Sequence, residues 1–93
     1  MKINKAIQEF VDSAIASGYV SKEDRYYLLN RVLYLVGEES FESSNEVEQP
    51  SLLDAMANLV EAAVEAGKIA NDSEERDWLE QELMNLVIPK PSD

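Results

Sequence analysis

Ser21-Lys22-Glu23-Asp24-Arg25-Tyr26-Tyr27-Leu28-Leu29-Asn30-Arg31-Val32-Leu33-Tyr34-Leu35-Val36-Gly37 reads as one whole helix with its punctuation. Ser21 is a good N-cap, and Asp24 three residues on makes an acidic version of the capping box. Tyr27, Leu28, Val32, Leu35 and Val36 make an inner stripe at helical spacing, with Leu29 and Leu33 widening it. Gly37 supplies the stop, being the residue that best takes the left-handed turn after a helix.

Just upstream, Ile3, Ile7, Phe10 and Ala14 fall on one line, with Val11 and Ile15 beside it. That spacing predicts an amphipathic helix over residues 3–17, ended by Gly18. Only the short Tyr19-Val20 connection separates it from the helix at 22–36. Two helices so joined lie antiparallel as an αα-hairpin.

The second half repeats this plan. Phe10 to Val20 aligns with Leu59 to Ile69 at a shift of 49, and Ser21 to Val36 aligns with Asp72 to Val87 at a shift of 51. Gly18 coincides with Gly67, Tyr27 with Trp78, Leu28 with Leu79, and Asp24-Arg25 with Glu75-Arg76. The repeat predicts helices over 51–66 and 73–87. Leu52, Met56, Leu59 and Ala63 form the line of the first, with Leu53, Val60 and Val64 alongside. Asp72 and Glu75 box the start of the second, and Trp78, Leu79, Leu83, Leu86 and Val87 form its stripe.

One amphipathic hairpin cannot cover its own stripe, but two can do so face to face. The expected fold is all-α, a four-helix bundle of two repeated αα-hairpins in a single domain over 1–88. Repeat 1 takes 3–37 and repeat 2 takes 51–88. Residues 38–50 lose periodicity in a Ser- and Glu-rich linker, where Phe41 is expected to tuck back onto the bundle. Pro89 prevents continuation of the last helix. Residues 89–93 are expected to be extended and to lead toward a missing downstream catalytic region.

Composition narrows the function. Among 93 residues the formal net charge is -11, and it is uneven. Residues 1–37 carry five basic residues against four acidic ones, whereas 38–93 carry three against fifteen. Such a field repels phosphates and anionic lipid, which argues against nucleic acid and membrane partners. With no Cys and no His, disulfides, thiolate zinc sites and the commonest general base are all absent. Apolar runs are far too short to span a bilayer, and no apolar signal core follows the first residues, so a cytoplasmic location is expected.

No catalytic, cofactor-binding or metal-ligating constellation emerges. Glu74, Glu75, Asp77, Glu80 and Glu82 crowd one helix without an apolar pocket around them, and read as a solvated face. The linker acids lack the spacing of a calcium loop. Ser51 opens a helix as a carrier-protein attachment serine does, but Pro50 precedes it where an Asp would be needed. Tyr19, Tyr26, Tyr27 and Tyr34 could stack bases, yet the acidic field favours packing or a protein contact.

Arg25 and Arg76 call for a reason, because a cation near a helix N-terminus opposes the helix dipole. Counted out from the turns, Arg25 lies level with Asp12 and Arg76 with Glu61. An interhelical ion pair in each hairpin is one reading, and two solvated arginines is the other. Tyr26 and Tyr34, with Asn30 and Arg31, share an outward side of their helix and are candidate docking contacts, since Tyr and Arg are enriched at interfaces.

The run from Asp24 to Gly37 resembles the stretch near the start of the bacterial class II galactose-1-phosphate uridylyltransferases (UDP-glucose–hexose-1-phosphate uridylyltransferases). Ile7, Phe10, Val11, Ala14, Ile15 and Gly18 match that family's opening helix. Glu75, Arg76, Leu79, Leu83, Met84 and Leu86, followed by Pro89-Lys90-Pro91-Ser92, match its closing signature. The resemblance covers nearly the whole chain, the linker excepted. It implies a parent enzyme, several times longer, that moves UMP from UDP-glucose to galactose 1-phosphate through a uridylylated histidine. UDP-glucose would be the parent's cosubstrate, with no cofactor held by this chain. The family's histidine motif lies downstream, so no catalytic residue carries over and the chain alone is expected to be inactive. Its implied role is scaffolding, docked on the remainder of the parent or on a second subunit. The competing reading is a free-standing acidic interaction module, or a nucleic-acid mimic, using residues 72–82.

Overall fold

A computed structural model describes residues 3–38 and 51–87. The chain runs through α1 (Ile3–Ala16), a 3-10 turn (Lys22–Asp24), α2 (Arg25–Val36), α3 (Leu52–Glu65) and α4 (Ser73–Val87). No strand occurs among the described residues, and the fold is the expected all-α bundle. The linker beyond Glu38, with Phe41, and the expected extended 89–93 lie outside the described residues.

Each α1 and α3 end turns the same way. Gly18 N–H donates to the Ile15 carbonyl (3.0 Å) and Tyr19 N–H to that of Ala14 (3.1 Å). In repeat 2, Gly67 N–H donates to Val64 (3.0 Å) and Lys68 N–H to Ala63 (2.9 Å). Both glycines have φ near +80° (83° and 74°), where a side chain would strain the backbone.

The helix starts differ. Ser51 is the cap of α3, its Oγ accepting from Asp54 N–H at 3.3 Å. Asp72 Oδ1 accepts from Glu75 N–H at 2.8 Å, the Asp half of the expected box. Ser21 departs from expectation. Its Oγ makes no bond to the backbone and donates instead to Asp24 Oδ2 at 3.1 Å. A hydroxyl can donate to the nearby carboxylate, an option Asp72 lacks, and the entry tightens into the 3-10 turn with α2 proper starting at Arg25.

The most extensive helix contact is α1 against α3, between the hairpins rather than within one. Next come α1 with α2, α3 with α4, and α2 with α4. Like therefore packs on like, as an internal two-fold relation between the hairpins requires. Ala6, Ala14, Ala55 and Ala63 are all without exposure along the α1–α3 seam, and such small residues let two helix axes approach closely. Each of the four has its repeat equivalent among the other three. Phe10 with Leu59, Leu28 with Leu79, Val32 with Leu83 and Val36 with Val87 complete the core as equivalent pairs.

Glu38 pairs with Lys68 at 3.4 Å, so the end of α2 lies beside the second hairpin's turn. Leu86, near the end of α4, shares a groove with Tyr19, Val20 and Tyr27 of the first hairpin's turn and helix start. The adjacent helices are thus antiparallel all round the bundle.

Three expected stripe residues are corrected. Leu53 is 70% exposed, Tyr27 65% and Trp78 43%. Leu53, six residues before the buried Leu59, is turned about 120° round α3 from it. With Leu28, Val32 and Val36 fixing the inward direction of α2, the 100° step per residue swings Tyr27 well away from it. Trp78 stands in the same relation to Leu79, Leu83 and Val87.

Candidate functional site

In each hairpin an arginine from the second helix reaches an acid on the first. Arg25 Nη1 pairs with Asp12 Oδ1, and Arg76 Nη2 with Glu61 Oε1. These four residues occupy repeat-equivalent positions, 49 apart on the acids and 51 apart on the arginines. The first pair is the more sheltered, with Asp12 17% exposed against 54% for Glu61. Arg76 Nη1 also donates to Asn71 Oδ1 at 3.1 Å. Each arginine thus has its charge compensated across the hairpin.

Tyr26 and Tyr34, at 76% and 81% exposure, stand on α2 with exposed Asn30 and Arg31 between them. Tyr27 lies one heptad before Tyr34 and joins this outward side, not the inner stripe. Its position relative to Leu28 was the available signal. At the equivalent positions of α4 the chain has Asp77, Trp78, Gln81, Glu82 and Asn85. Both helices carry the same inward pattern, while their outward sides diverge, three tyrosines with Asn30 and Arg31 on α2 standing where α4 has one tryptophan, two acids and two amides.

The acidic side of α4 contributes Asp77 and Glu80 to a shallow depression of about 400 Å³, shared with Glu61, Asp72 and Arg76. No group of acids that could hold a metal ion is found among the described residues. No helix among them is long and apolar enough to cross a membrane.

Comparison with known proteins gives consistent names. The chain is 41% identical over 86 residues to galactose-1-phosphate uridylyltransferase 1 of Streptococcus pneumoniae. It is 40% identical over 88 residues to the galactose-1-phosphate uridylyltransferase of Lactiplantibacillus plantarum, and 38% over 88 residues to that of Lactobacillus helveticus. These alignments take in 92–95% of this chain but only 17–18% of each relative. No family model and no solved structure matches. Over nearly all of its length, the chain is homologous to the N-terminal region of the galactose-1-phosphate uridylyltransferases.

Proposed function

We propose that this bundle is a non-catalytic docking module of a galactose-1-phosphate uridylyltransferase, working in the cytoplasm. The transfer of UMP from UDP-glucose to galactose 1-phosphate would be carried out by residues outside this chain, which has no histidine. The observation that carries the reading is the divergence of the repeat. Identical inward demands on α2 and α4 leave their outward sides free, and α2 alone spends that freedom on three exposed tyrosines and Arg31. Exposed aromatic rings on a bundle that does not need them for its core fit an interface. The near-neutral charge of the first hairpin suits contact with another protein surface, whereas the acidic α4 side suits solvent.

The test is complementation. The matching segment is deleted from the pneumococcal relative, and this chain is supplied in trans with a coupled uridylyltransferase assay. Loss on deletion, recovery with the chain, and failure of a Tyr26→Ser, Arg31→Glu, Tyr34→Ser variant to restore activity are the expected results. Full activity and solubility of the deleted enzyme would sink the docking role.

A further inference from the structure

The charges and rings beside the seam between α2 and α4 form a pattern that complements itself. We propose that the partner of the α2 docking side is a second copy of this chain, with α2 of each copy lying on α4 of the other. The inference rests on the reading of the outward side of α2 as a docking surface, and it names the occupant.

Tyr27, Arg31 and Tyr34 follow one another at steps of four and three, which makes one stripe on a helix. Each stands at least about 120° round α2 from Arg25, which pairs with Asp12 of α1. Tyr27 shares its groove with Leu86 of α4, so the stripe borders the α2–α4 seam. The two-fold relation gives α4 a matching stripe, Trp78, Glu82 and Asn85, on the same face. The acids Asp77 and Glu80 turn instead to the depression they share with Glu61 of α3, and that flank stays in solvent.

The two stripes are in register. Leu86 lies level with Tyr27, and by equivalence Leu35 lies level with Trp78. Midway between these levels, Arg31 stands level with Glu82. Neither has an ion-pair partner among the described residues. A two-fold axis running along the seam, parallel to the helices, sets Arg31 of each copy over Glu82 of the other. The four charges then alternate around the axis. The same axis brings Tyr34 to the second copy's Trp78 and Tyr27 to its Asn85, ring to ring and phenol to amide. All three of these rings are exposed in the single chain, and buried aromatics with a paired arginine are what anchor an interface. An axis across the helices would instead stack Arg31 on Arg31 and Glu82 on Glu82, two like-charge contacts. The contact along the seam is isologous, so it closes at two copies.

The experiment is sedimentation equilibrium on the 93-residue chain, with the emission of Trp78, its only tryptophan, followed over the same concentrations. A dimer that dissociates on dilution is expected, the emission moving to shorter wavelength as it forms. Arg31→Glu and Glu82→Arg should each weaken the dimer by at least about tenfold while the helical circular dichroism is retained. Mixed in equal amounts, the two variants should associate again, because every charge on one then meets its opposite on the other. A chain that stays monomeric up to millimolar concentration overturns the proposal. So does a dimer indifferent to both reversals. Should the chain be monomeric while Arg31→Glu still fails to restore the deleted enzyme, the second copy is the wrong partner and the docking surface stands. Should the dimer respond as expected while the deleted enzyme needs no help, the second copy is the partner and docking on the rest of the enzyme falls.

Discussion

Arg25 on α2 pairs with Asp12 on α1, and the relation recurs between Arg76 and Glu61. The recurrence separates burial from sequence context in one molecule. A double-mutant cycle on Asp12→Asn and Arg25→Gln should give a coupling near 1 kcal/mol, because the acid is largely sheltered. The Glu61 and Arg76 cycle should give less, about 0.2–0.5 kcal/mol, and should fade further with salt. Equal coupling in the two hairpins would mean that shelter of the acid is not what sets the strength.

The α1–α3 seam is where added volume should hurt most. Ala14→Leu and its equivalent Ala63→Leu each place a branched side chain between two helices already in close contact. Each should cost about 1–3 kcal/mol in urea denaturation followed by circular dichroism. The same substitution at exposed Ala57 on α3 should be nearly neutral, since Ala and Leu are both good helix formers. A neutral Ala14→Leu would show that the seam has room.

The turn glycines allow a purely conformational test. A Cβ at Gly18 or Gly67 would meet nothing within 4 Å, so substitution creates no clash. What remains is the left-handed backbone. Gly18→Ala and Gly67→Ala should each cost roughly 1–2 kcal/mol. Gly67→Asn should cost visibly less, because Asn tolerates that region better. A loss well above this range would point to a change in helix packing instead.

Much of this was legible from the chain because the repeat states every inward requirement twice. Leu28 with Leu79 and Gly18 with Gly67 agree on period and punctuation, and two independent copies rarely agree by chance. The ion-pair partners could be named by counting out from each turn, since hairpin geometry makes level residues neighbours. Hydrophobicity alone points Leu53, Tyr27 and Trp78 inward, whereas their angular positions relative to Leu59, Leu28 and Leu79 turn them out. Ser21 misled for a chemical reason, since capping rules do not anticipate a hydroxyl captured by the acid three residues on. The burial of Gln8 and Glu9 could not be foreseen either, as their equivalents Ala57 and Asn58 are exposed and half-buried.

The outward tyrosines of α2 should be irrelevant to the bundle's own stability. Tyr26→Ser and Tyr34→Ser remove rings that are three-quarters exposed or more, and each should change stability by no more than about 0.5 kcal/mol. Leu83→Ala, at a fully buried position, should cost about 2–5 kcal/mol in the same measurement. If either tyrosine variant approached the leucine in cost, the rings would belong to the fold and the case for a docking face would weaken.

Glu9 is the residue whose chemistry fits its place least well. Only 3% of it is exposed, and its Oε2 has no hydrogen-bond partner among the described residues. A buried polar oxygen left without a partner costs on the order of 1–3 kcal/mol. Glu9→Met keeps the length of the side chain and removes the oxygens, so it should raise the urea midpoint by an amount within that range. Glu9→Gln keeps the shape and replaces a carboxylate with a neutral amide, and should give a smaller gain. Should both variants lower stability instead, Glu9 must be satisfied in solution by a partner, and mutating candidate donors around α1 would then locate it.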